Sequence, residues 1–80
     1  MKQSDLVLSI RTQVEANFPG SYIVQLDDRS TPGLPGLEIL YRGFALFVET
    51  RTGDEPLSKI QKETHQQIQR AGGLICVADS

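Results

Sequence analysis

The chain has one cysteine, no tryptophan and no apolar run longer than the five residues of Phe44–Val48. With Cys76 alone, no intrachain disulfide can form, which fits a reducing compartment. A five-residue run is far too short to span a bilayer. The opening MKQSDLVLSIRTQ is interrupted by charge before it reaches the length of a signal-peptide h-region. There is no excess of basic charge: 8 Lys and Arg stand against 10 Asp and Glu, for a net charge of −2. That balance gives no support to non-specific nucleic-acid binding by the whole surface, and leaves room for a local basic patch. Internal repeats and low-complexity tracts are absent. The expectation is a soluble, cytoplasmic protein with no membrane segment.

What is present suits a small globular unit. Hydrophobic residues make up 39% and charged residues 22%, which argues against disorder. Eighty residues allow one domain, spanning 1–80, that buries only about 60% of its unfolded surface. A core this thin makes pairing with a second copy a natural remedy.

The elements follow from periodicity. Leu6, Ile10 and Val14, with Val7 and Phe18 beside them, form a helical stripe. Ser4 is the expected N-cap and Asp5 lies in the first turn, which predicts a helix over Ser4–Asn17 ended by Pro19-Gly20. Ser21–Leu26 reads as a short strand. Asp27–Gly36, DDRSTPGLPG, is irregular, and is either a functional loop or a simple crossing. Leu37–Arg42 and Phe44–Arg51 read as a hairpin turning at Gly43. The second of these strands is apolar on both faces, which predicts a central position with a helix above and below. Ser58 and Gln61 make a capping box ahead of a second helix, with Leu57, Ile60, Thr64, Ile68 and Ala71 as its apolar face. Gly72-Gly73 closes it. Leu74–Ala78 then reads as a buried parallel strand reached by a right-handed crossover. The predicted class is α/β, a small mixed sheet flanked by two helices in the order αβββαβ.

Glu49 and Arg51 share one face of their strand by period-two alternation. They are the pair with the clearest potential for chemistry, and also a plausible simple ion pair. His65 stands one step off the apolar face of the second helix, without a Cys or another His nearby, and reads as a surface group. Cys76 reads as core. Lys59, Lys62 and Arg70 give the second helix a basic surface, suited either to a DNA backbone or to solvent.

The stretch GLPGLEILYRGFALFVETR followed by LSKIQKETHQQIQRAGGLICVADS resembles the virus-type replication-repair nuclease (VRR-NUC) domain of the PD-(D/E)XK nucleases. The resemblance covers almost the whole chain. The family pattern runs G-x-P-D, strand, turn, a strand ending in E-x-K, and S-x-x-Q opening a helix with a glycine-rich stop. Gly33, Pro35, Glu49, Ser58, Gln61, Gly72 and Gly73 match it. Gly36 stands where the pattern has its metal-binding Asp, Arg51 where it has Lys, and Gln3 where members often carry a Glu.

The resemblance implies a restriction-endonuclease-like core and phosphodiester hydrolysis with Mg²⁺ or Mn²⁺. The metal would be held by the Asp, the Glu and a backbone carbonyl beside the Lys position. It implies Glu49, Arg51 and Gln61 as catalytic residues and Glu49 as a metal ligand. Glu38 is the candidate second ligand, with Asp27 or Asp28 as alternatives; Glu38 also suits a solvent-facing charge or a cross-strand partner for Arg51. The implied partners are branched or double-stranded DNA, in a phage-like setting, and a second copy of the chain. Two functions follow: a metal-dependent DNA endonuclease with an altered, weakened or silent site, or a non-catalytic relative that binds DNA or protein.

Overall fold

The computed structural model describes residues 2–26, 31–53 and 56–79. The elements are α1 (Gln3–Asn17), β1 (Tyr22–Gln25), β2 (Leu37–Tyr41), β3 (Phe44–Arg51), α2 (Lys59–Arg70) and β4 (Leu74–Asp79). The sheet order is β1-β2-β3-β4. β1 and β2 pair antiparallel, as do β2 and β3. β3 and β4 pair parallel, from Leu46 opposite Leu74 to Arg51 opposite Asp79. The predicted αβββαβ order and mixed sheet are what the chain forms.

β3 lies inside the sheet, as its two apolar faces require. One face carries Leu46 and Val48, which join Leu37 and Ile39 of β2 and Val7, Ile10 and Val14 of α1 in the main core. Leu37 is fully buried at its centre. The other face carries Ala45, Phe47, Glu49 and Arg51 and is the side α2 covers. Alternation thus gives each face of β3 its own helix.

Local chemistry sets the ends. Between β2 and β3, Arg42 and Gly43 both take positive φ, 49° and 85°, the pattern of a tight hairpin turn matched to strand twist. α2 begins with the predicted capping box: Ser58 accepts from the Gln61 backbone N–H, and the Gln61 side chain accepts from the Ser58 N–H. It ends with the Gly73 N–H donating to the Ile68 carbonyl and the Gly72 N–H to the Gln69 carbonyl. That double bond pattern places Gly72 in the left-handed region, at φ 93°.

Four expectations change. Ser4 is not the cap of α1: the helix starts one residue earlier, with Lys2 at the cap position and no side-chain cap bond. Gln3, in its first turn, is tied to β3 by long-range hydrogen bonds, and this tertiary contact extends the helix past the local signal. β4 is parallel but is the sheet edge rather than a buried strand, with Leu74 and Val77 exposed. Cys76 is exposed with it rather than in the core, although partial burial still raises its thiol pKa. Two helices in so short a chain do not cover four strands on both sides. The apolar face of α2 is also divided. Ile60 and Ala71 are exposed, Ile68 is half-buried, and the buried residue of the helix is His65.

The loop ahead of β2 closes onto α2. A Cβ on Gly33 would lie 2.7 Å from the Ile60 carbonyl oxygen and 2.7 Å from Thr64 Oγ1, and Gly33 has φ 77°. Thr64 Oγ1 donates to the Pro32 carbonyl at 3.0 Å. Gly20 has a similar φ of 90° with nothing near its missing Cβ. Gly20→Ala is therefore expected to cost about 1 kcal/mol, from backbone conformation alone. Gly33→Ala is expected to cost more than about 2 kcal/mol, since a clash with backbone is added. Urea unfolding of the two variants checks the difference.

Candidate active site

The far end of β3 meets the start of α2, and two spacings make that meeting regular. Glu49 and Arg51 stand two residues apart on the strand, roughly 6.6 Å. Gln61 and His65 stand four apart on the helix, about 6 Å along its axis. The helix runs back along the strand, so Gln61 falls beside Arg51 and His65 falls over Glu49. His65 Nε2 donates to Glu49 Oε1 at 3.0 Å, with side-chain exposures of 11% and 7%.

This corrects the reading of His65 as a surface group. It is the buried partner of Glu49, the one acidic side chain buried among the described residues. The signal was present in its i, i+4 spacing from Gln61, but only the antiparallel packing of α2 on β3 shows what it faces. The simple ion pair of Glu49 with Arg51 does not form; the contact of Glu49 is His65.

Arg51 is half-buried and lines a recess of about 190 Å³ with Gln3, Thr52, Pro56, Leu57 and Gln61. That volume holds several waters or one phosphate group. The Arg51 Nη2 group donates to the Gly53 carbonyl across a long 3.4 Å. Its Nε is buried with no hydrogen-bond partner among the described residues. Gln61 shares this recess while its carbonyl oxygen serves the cap of α2.

Thr50, between the two, is buried and faces α1. The Gln3 Nε2 group donates to the Thr50 carbonyl at 3.3 Å and to the Thr50 hydroxyl. Gly36 lies against the same residue: a Cβ there would come 2.9 Å from Thr50 Oγ1. Glu38 pairs across the strands with Phe47. It lines a separate recess with Phe47, Ile68 and Gly73. No ion pair joins it to Arg51 or any other described residue. Asp27 and Asp28 lie outside the described residues.

The donor set does not fit a divalent cation in this arrangement. Mg²⁺ needs one or two free carboxylates and room for its waters. Glu49 is engaged through Oε1 by His65, the Thr50 carbonyl by Gln3, and position 36 has no side chain. Among the described residues no group of three His, Cys, Asp or Glu is placed to hold a metal. No helix among them is long and apolar enough to cross a membrane.

The pair of His65 and Glu49 carries a stability consequence. His65→Ala leaves a buried carboxylate uncompensated and is expected to lower stability by roughly 3 kcal/mol. Replacing both, Glu49→Leu with His65→Leu, should restore most of that loss, because the desolvation cost of both groups disappears together. Denaturant unfolding of the single and double variants measures the coupling.

No family model matches the chain, and no curated protein matches it by sequence. Among solved structures, one described as a VRR_NUC domain superposes with a TM-score of 0.81. The match covers 98% of this chain and 84% of that one, at 21% identity. The two helices and four-stranded mixed sheet described above therefore form the nuclease-like fold of a VRR_NUC domain.

Proposed function

We propose that this chain is a single VRR-NUC-type domain that engages the DNA phosphodiester backbone at the Arg51 recess, with hydrolysis lost or strongly reduced. The carrying observation is Arg51 itself, a half-buried cation that lines a polar recess beside the engaged groups of Glu49 and Thr50. A guanidinium binds phosphate through paired N–H groups without needing a metal. Gln3, Thr52 and Gln61 add polar groups to the same recess. Lys59, Lys62 and Arg70 are exposed on the helix that borders it, where they extend a basic path along a duplex.

A second reading is a Mg²⁺- or Mn²⁺-dependent endonuclease acting on branched or double-stranded DNA, with Glu49 and Glu38 as ligands and Glu49, Arg51 and Gln61 as catalytic groups. One observation favours it: Glu49 and Arg51 still share the strand face that Gln61 borders. Losing a placed electrostatic group costs about 10²–10³ in rate, so this reading requires a slow enzyme.

A second copy of the chain is the protein partner we favour. Leu74 and Val77 are exposed on the unpaired edge of β4. Phe18, Phe44 and Leu74 open an apolar recess of about 200 Å³ beside it. Such an edge is a template for pairing unless it is covered. Light scattering is expected to give a dimer, and Phe44→Asp with Leu74→Glu a monomer.

DNA binding and cleavage decide between the two readings. Junction, flap and supercoiled DNA are incubated with Mg²⁺ or Mn²⁺ and the parent chain, Glu49→Ala, Arg51→Ala, or the pair Gly36→Asp with Arg51→Lys. The expected result is binding without cleavage by the parent. Arg51→Ala should weaken binding and reduce the salt dependence of log K by about one phosphate contact. Cleavage by the parent that Glu49→Ala abolishes would overturn the proposal in favour of the enzyme.

A further inference from the structure

We infer that Gln3, Thr50 and Gly36 form a closure in place of a divalent cation, so that the site is built to work without a metal. The inference rests on the location of the site proposed above and goes beyond it. It explains why the missing donors are not independent losses.

Thr50 is the centre. It is 6% exposed, so both of its oxygens need partners inside the protein. The carboxamide of Gln3 has two N–H groups, and its nitrogen contacts both oxygens of Thr50. The carbonyl oxygen that a cation would need thus already accepts a hydrogen bond. The amide brings the positive end of a dipole to that carbonyl, without the dehydration that Mg²⁺ resists.

Gly36 completes the arrangement. The space its side chain would enter is occupied by Thr50 Oγ1, 2.9 Å from the position of a Cβ. Thr is β-branched and stiff about χ1. Its hydroxyl cannot swing aside without leaving Gln3. A side chain at position 36 and the bond between Gln3 and Thr50 therefore compete for one volume. On the opposite strand face, Glu49 Oε1 is held by His65 at 3.0 Å. An acidic residue restored at position 36 alone meets a filled space and an engaged carbonyl.

The test is direct metal binding, measured without DNA, so that it stands apart from the fate of the DNA-binding proposal. Free Mn²⁺ is followed by electron paramagnetic resonance as it is titrated into the parent, Gly36→Asp, and the triple variant Gln3→Glu, Thr50→Ala, Gly36→Asp. The parent and Gly36→Asp should show no site filling in the millimolar range. The triple variant should bind one Mn²⁺ at least about tenfold more tightly, since two carboxylates are added and the carbonyl is freed. A folded triple variant that ignores Mn²⁺, or Gly36→Asp alone binding as well as the triple, would overturn the inference.

A second measurement holds whatever the triple variant does. Gly36→Ala should lower the urea midpoint in the parent and leave it nearly unchanged in a Thr50→Ala background. Additive shifts in the two backgrounds would show that positions 36 and 50 do not compete, and the closure would fall.

Discussion

The hydrogen bond between His65 and Glu49 is the contact on which the arrangement of α2 depends. An acidic side chain in the interior of so small a protein is destabilising unless a partner meets it. His65 supplies that partner from α2. Once the bond is made, the rest of the helix is placed. Ile68 comes to lie over Phe47 beside Gly73, Thr64 reaches the carbonyl of Pro32, and Gln61 stands at the Arg51 recess. The capping box and the glycine stop define where the helix begins and ends. The buried pair decides which side of it faces the sheet.

The two faces of β3 do different work because they meet different helices. Toward α1 the strand offers Leu46 and Val48 to an apolar core. Toward α2 it offers Glu49 and Arg51, which require polar company. Thr50 is the exception on the α1 side, a buried polar residue at the strand's end, and Gln3 satisfies it by extending α1 past its expected start. Both helices are thus anchored at the same end of one strand by polar contacts, while apolar packing fills the middle. A thin core makes such anchors significant, since net stability in a chain of this length is only a few kcal/mol.

Much of this was legible before the structure. Apolar residues on both faces identified Phe44–Arg51 as central, and the pair of Ser58 and Gln61 identified the start of α2 to the residue. These signals are local, so a linear reading captures them. His65, Gln3 and the edge position of β4 were not captured, because each depends on what lies opposite. A lone histidine beside an apolar stripe carries no mark of the carboxylate it will face. Gln3 is 47 residues from the threonine it contacts. The run Leu74–Ala78 has the composition of a covered strand, yet covering it would take a third helix or another chain. The resemblance named candidate site residues but not the partner of Glu49, which shares the strand face of Arg51 as expected and is held by His65.

That difference bears on how an altered site should be understood. Against the family pattern that the sequence resembles, positions 3, 36 and 51 are separate departures, each of which would look like decay. In three dimensions two of them touch through Thr50, and the absence of a side chain at Gly36 is what lets the Thr50 hydroxyl sit where Gln3 can hold it. Here the orphaned buried side-chain atom among the described residues is the Arg51 Nε, in a residue that lines the recess. Glu49 Oε1 and both oxygens of Thr50 have partners inside the protein, while Arg51 lines the recess. Such an arrangement is what the proposed exchange of metal chemistry for anion binding requires.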